Sequence, residues 1–172
     1  MSYLYDKVTA RYVLQGLRKI SDGQRLTPDE KIALDFFSIH RFQNALYIVP
    51  ATYNILMRLY REPRYQPMIN LFLNSAEIVY PTKYNKRWAR RLREHTFTRE
   101  DASVLALATF GTTDDLSLFG IQYVLTFDKH MINNWQNHYS TIHEQLKTMK
   151  RDLAEPYCKV SLPQVLRPDL HR

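Results

Sequence analysis

Glycine and cysteine are the scarce residues of this 172-residue chain, with four of the first and one of the second. A single thiol, Cys158, excludes an internal disulfide framework and a zinc site built on cysteines. With so few glycines there is no Gly-rich phosphate loop and no Gly-x-Ser-x-Gly elbow, which argues against a nucleotide-dependent kinase, a dinucleotide oxidoreductase and a serine hydrolase of the elbow type. Apolar runs are short as well: none approaches the roughly 18–20 residues that span a bilayer, and the opening MSYLYDKVTARYV lacks the layout of a signal peptide. The expectation is a cytoplasmic protein with no membrane contact. No internal repeat, low-complexity tract or linker divides the chain. What is present is a hydrophobic content of 45% with 13% aromatics, enough for a packed core in one domain. The formal charge of +7 permits a polyanionic partner without requiring one.

Strand-like and helix-like patterns alternate along the whole length. Ser2 to Asp6 reads as a first strand, and Leu46 to Val49, Ala76 to Tyr80 and Ile121 to Leu125 as further strands. Thr27-Pro28-Asp29-Glu30 carries a capping box with Pro at the first helical position, opening a helix lined by Ile32, Phe36 and Ile39. Pro50 opens a helix with Tyr53, Leu56, Met57 and Tyr60. Such alternation predicts a three-layer α/β/α domain around a mostly parallel sheet, whose ligands gather outside the carboxyl ends of the strands.

The densest chemical signal runs from Thr98 to Trp135. Thr98 is a natural N-cap with Asp101 in the first turn, and Gly111 suits the helix stop. The following strand ends Leu125-Thr-Phe-Asp128, and a new helical pattern starts at once. Singly, Asp6, Asp101 and Asp128 have plain explanations as turn or capping residues. Together, the topology can bring all three to one sheet edge, where mutual repulsion would be offset by a hard divalent cation.

These residues resemble a known family. Asp101-Ala-Ser-Val-Leu-Ala-Leu-Ala followed by Leu125-Thr-Phe-Asp128 is similar to the C-terminal signature of PIN domains, metal-dependent nucleases that include the toxins of many bacterial toxin–antitoxin pairs. Tyr3-Leu-Tyr-Asp6, Ile48-Val-Pro-Ala and Val160-Ser-Leu-Pro163-Gln-Val-Leu166 extend the likeness in order over almost the whole chain. The resemblance implies one PIN-like domain over 1–168 with a tail at 169–172. It implies an endoribonuclease using Mg²⁺ or Mn²⁺ held by Asp6, Asp101 and Asp128, and allows an antitoxin-like protein as partner. The chain departs from the family pattern in two places. Where PIN sites carry a glutamate on the helix after the second strand, this chain has Asn54 and Ile55, and Lys7 follows the first acid. Fewer negative ligands and a nearby cation weaken divalent-ion binding. The alternative is therefore a catalytically weakened module that binds RNA or a protein.

Two helical segments add to the reading. From Thr82 to His95, Tyr84, Trp88 and Leu92 recur at i, i+4 and i+8, so Trp88 is expected in the core. Lys83, Lys86, Arg87, Arg90, Arg91 and Arg93 take up most of the remainder, either as a solvated face or as a ridge for RNA phosphates. Asn54 and His130 are further candidates for substrate contact, His130 being equally readable as a polar helix-start residue. The inserted segment at 131–153 carries a seam, Ile132, Trp135, Tyr139, Ile142, Leu146, Met149 and Leu153, spaced 3, 4, 3, 4, 3, 4. That seam either lies across its own domain or pairs residues 132–153 with a second copy as a homodimer.

Overall fold

A computed structural model describes residues 1–114 and 120–170. Five parallel strands, β1 (Ser2–Tyr5), β2 (Ala45–Ile48), β3 (Ala76–Ile78), β4 (Tyr123–Leu125) and β5 (Gln164–Leu166), form one sheet in the order β3-β2-β1-β4-β5. Between them lie α1 (Lys7–Ser21), α2 (Pro28–His40), α3 (Pro50–Leu59), α4 (Gln66–Leu73), α5 (Asn85–Arg93), α6 (Arg99–Phe110) and α7 (Lys129–Lys150). Pro168–Leu170 is a single 3₁₀ turn, and the last two residues of the expected tail lie outside the described residues.

Side chains alternate across each strand, and this period of two divides the interior into two cores. Tyr3, Tyr5, Leu46, Ile48 and Leu125 pack with α1 to α4, where Val13, Phe37, Leu56 and Phe72 are buried. Leu4, Tyr47, Val124 and Val165 face the opposite way, toward Trp88 and Leu92 of α5, nearly all of α6, and α7. The layers are therefore α/β/α, and the sheet is parallel throughout. Among the described residues no helix is long and apolar enough to cross a membrane.

The capping box at α2 forms as its residues predict: Glu30 N–H donates to Thr27 Oγ1 at 3.3 Å, and Thr27 N–H to Glu30 Oε2 at 2.7 Å. The buried face of that helix differs from the expected one. Ala33, Leu34, Phe36 and Phe37 are buried, whereas Ile39 is 63% exposed on the outer face with Asp35 and Ser38, while its neighbour His40 packs against Tyr3 of β1. The third strand is shorter than expected because Tyr80 leaves it to pair with Thr112 in an isolated antiparallel bridge. Gly111 does close α6, but for lack of space and not for a left-handed turn. Its backbone is extended (φ −71°, ψ 162°), and a Cβ there would collide with Val79 Cγ1 and the Leu107 carbonyl oxygen.

The inserted helix takes the first of its two expected arrangements, lying across its own domain. Ile132, Trp135, Ile142, Leu146 and Met149 are buried in the core that α7 shares with α5, α6 and the sheet. Tyr139 alone, in the middle, is substantially exposed at 39%. A homodimer through 132–153 would need this face to be open, and it is covered by the chain's own domain.

Candidate acidic site at the sheet edge

The strand order contains one switch point. From β1 the chain moves outward to β2 and β3, then crosses back to place β4 on the other flank of β1. Connections leave β1 and β4 in opposite senses, opening a crevice at their carboxyl ends. Asp6 follows β1 directly, and Asp128 follows β4 by three residues. Asp6 N–H donates to the Leu125 carbonyl at 3.1 Å, tying the two strand ends together.

Three helices start at this edge, each with an aspartate in or just before its first turn. Asp6 is the N-cap of α1, Asp128 is the N-cap of α7, and Asp101 sits in the first turn of α6 behind its own N-cap, Thr98. Helix N-termini carry partial positive charge and exposed amides, which favour a carboxylate at each.

Asp6 is the most tightly held of the three. It is 7% exposed, its Oδ1 accepts from Thr9 N–H at 2.6 Å, and its Oδ2 accepts from Thr126 Oγ1 at 2.6 Å. The same Thr126 oxygen accepts the Asp128 N–H at 3.0 Å, so one hydroxyl joins the first acid to the backbone of the last. Thr9 Oγ1 donates to the Leu125 carbonyl at 2.9 Å. Burial pushes the Asp6 pKa above the usual carboxylate range; the hydrogen bonds from Thr126 and Thr9 counter this in part, and the charge of Asp101 adds to the rise.

Asp101 stands in the first turn of α6, where the helix dipole favours an acid. Its backbone N–H is capped by Thr98 Oγ1 at 3.1 Å, but its half-buried carboxylate has no hydrogen bond or ion pair among the described residues. Lys7, the cation next to Asp6, is directed instead to Glu100, with Nζ 3.3 Å from Oε1. Two adjacent pairs thus cross between α1 and α6: an attractive one at Lys7–Glu100 and a repulsive one at Asp6–Asp101.

Asp128 takes the capping role that its place before α7 predicts. It is exposed, and its Oδ1 accepts from the His130 N–H at 2.8 Å and the Met131 N–H at 3.1 Å, the ordinary work of an N-cap. Among the described residues no three His, Cys, Asp or Glu side chains gather closely enough to hold a metal ion. The structure links Asp6 to Asp101 through their charges and gives Asp128 a capping role at α7. Asn54 is exposed on α3 and makes no side-chain hydrogen bond among the described residues, and His130 is exposed on the first turn of α7. Thr9 and Thr126, which orient Asp6, carried no role in the sequence reading. The signal for Thr126 was its place two residues before an acid at a strand end.

The cationic helix behaves as its periodicity predicts. Trp88 and Leu92 are fully buried, while Lys86, Arg87, Arg90 and Arg93 are exposed and Arg91 is half-buried. None of these five is in an ion pair among the described residues. Lys83 precedes the helix and lies 5.1 Å from the Tyr84 ring centre and 5.6 Å from that of Tyr157. Comparison of the chain with protein-family models and with curated proteins finds no match.

Proposed function

We propose that this chain is a PIN-like endoribonuclease whose divalent ion, Mg²⁺ or Mn²⁺, is held by Asp6 and Asp101. The observation that carries the proposal is the half-buried Asp101 carboxylate, whose charge acts on buried Asp6 and which has no hydrogen bond or ion pair among the described residues. Asp6 and Asp128 each accept backbone hydrogen bonds as helix caps, and the Asp101 carboxylate accepts none among the described residues. Two carboxylates suit Mg²⁺, which is bound through one or two such groups and keeps several of its waters. Bound there, the ion would polarise a phosphate and lower the pKa of a coordinated water.

The protein's own residues do the rest. Thr9 and Thr126 fix the Asp6 carboxylate in one orientation, and the exposed Lys7–Glu100 pair keeps the Lys7 ammonium on Glu100. Lys86, Arg87 and Arg90 bind the RNA backbone without reading its sequence.

The test is Mn²⁺-dependent cleavage of a structured RNA. Asp101→Asn loses about a hundredfold or more in rate, the scale of removing a charge stabiliser of the transition state. Asparagine caps helices as well as aspartate does, so Asp128→Asn keeps α7 and loses only about tenfold. Equal cleavage by the parent and Asp101→Asn sinks the proposal.

A second reading, a non-catalytic PIN-like module that binds RNA, is favoured by one specific feature. The Asp128 carboxylate caps α7 and no acid stands at position 54, leaving two carboxylates where the family pattern has four. RNA binding by the parent without any cleavage supports that reading instead.

A further inference from the structure

β3 is an outermost strand of the sheet, paired with β2 on one side only. Backbone N–H and C=O groups alternate in direction along a strand. Val79 N–H donates inward to the Ile48 carbonyl at 3.0 Å, so the backbone groups of Ala76, Ile78 and Tyr80 face outward. Tyr80 is paired there: its N–H donates to the Thr112 carbonyl at 2.7 Å, and the Thr112 N–H to the Tyr80 carbonyl at 3.0 Å. That bridge stands alone. Ala76 and Ile78 have no outward backbone partner among the described residues, which leaves an edge that another strand can extend.

A cleft of about 430 Å³ lies along this edge. Tyr53 of α3 and Leu73 of α4 line it with Ile78 and Tyr80, and Glu77 and Asp114 supply two carboxylates. No basic side chain among the described residues lines it, and neither acid has a hydrogen bond or ion pair among them. In a chain with 24 Lys and Arg against 17 Asp and Glu, the cleft reverses the charge of the whole.

These features select the occupant. Open backbone groups on a strand edge take an extended chain. The carboxylates repel a nucleic-acid backbone, and twofold pairing of β3 with a second copy would bring Glu77 near its own counterpart. An Arg or Lys balances both acids, and the tyrosine rings of the same cleft also favour a cation. We propose that the β3 edge binds an extended basic peptide of a partner protein as an added strand. Its main chain pairs with Ala76 and Ile78, an Arg or Lys meets Glu77 and Asp114, and an apolar neighbour covers Leu73 and Ile78. This interaction does not depend on the nuclease reading.

The test is fluorescence anisotropy on the full chain with three labelled peptides. They are acetyl-Val-Arg-Ile-Arg-Val-amide, its counterpart with Glu in place of Arg, and the Arg peptide N-methylated at every residue. The parent binds the Arg peptide and binds the other two at least about tenfold more weakly, one for its charge and one for its missing donors. Glu77→Gln/Asp114→Asn, altered only at exposed positions, keeps the parent's circular dichroism and weakens the Arg peptide about tenfold, the scale of two exposed ion pairs. Equal binding of the methylated and unmethylated peptides, or of the Arg and Glu peptides, overturns the proposal. So does a parent that binds none of them, or a double variant that binds as the parent does. A parent whose peptide binding is lost as it dimerises at higher concentration gives the edge to a second copy, and overturns it as well.

Discussion

The Asp6→Asn protein melts at a higher temperature than the parent near neutral pH and no longer cleaves RNA. Both halves follow from the same geometry. Asparagine caps a helix as well as aspartate, so the Thr9 N–H keeps its acceptor. The Thr126 hydroxyl can turn to accept from the new amide. What disappears is a buried negative charge beside a second one. An unfolded aspartate loses its proton near pH 4, whereas native Asp6 holds its proton to higher pH, because burial and Asp101 raise its pKa. Through that interval the native state binds more protons than the unfolded state, so the parent loses stability as pH rises. Asparagine has no proton to lose. The gap between variant and parent is therefore small in acid and opens toward neutrality, to about 0.5–2 kcal/mol. By the size scaling of melting, this is about 2–4 °C for each kcal/mol. Millimolar Mn²⁺ should raise the melting temperature of the parent and not of the variant, because only the parent's native state binds the ion. Calorimetric scans at several pH values, with and without Mn²⁺, read all of this. A variant less stable than the parent at neutral pH would mark Asp6 as a structural hub.

Ile142→Glu unfolds the chain. Ile142 has no exposed surface and sits mid-way along α7, in the core shared with α5 and α6. A glutamate there buries a carboxyl among apolar side chains with no partner, and also loses the packing of the isoleucine. The combined loss exceeds about 4 kcal/mol, a large part of the roughly 5–15 kcal/mol that holds a domain folded. Tyr139→Glu, at the exposed point of the same seam, changes stability by about 1 kcal/mol or less. Urea titration followed by circular dichroism separates the two. A folded Ile142→Glu protein with an altered oligomeric state by light scattering would return the seam to an interface between copies.

The seam shows how periodicity can be right about a face and silent about what covers it. The 3, 4 spacing identified the apolar side of α7 from the residues alone, but a coiled coil and a helix on its own domain share that pattern. Trp88 was legible for the same reason, and its neighbours on α5 left no second apolar side to choose. The capping box at Thr27 was legible because both hydrogen bonds run within four residues. Ile39 is exposed because the inward stripe of α2 runs through Ala33, Phe36, Phe37 and His40, and the three-residue step from Phe36 to Ile39 leaves that stripe for the outer side.

At the site, the sequence placed three acids at one sheet edge but could not say where each carboxylate points. One oxygen of Asp128, Oδ1, accepts from the amides of its own helix. The Asp6–Thr126 contact joins residues 120 positions apart, so nothing local announces it. Lys7 looked like a competitor for the acid pair, and is drawn off by Glu100, a residue 93 positions away.

The claim beneath the functional account is that Asp6 and Asp101 together capture a hard cation. Counting free Mn²⁺ by its electron paramagnetic resonance signal, as ion is added to the protein, tests this without reference to any substrate. One ion bound per chain at millimolar Mn²⁺ in the parent, lost in Asp101→Asn and retained in Asp128→Asn, is the predicted result. A parent that takes up no Mn²⁺, or an Asp101→Asn protein that takes up as much as the parent, contradicts it.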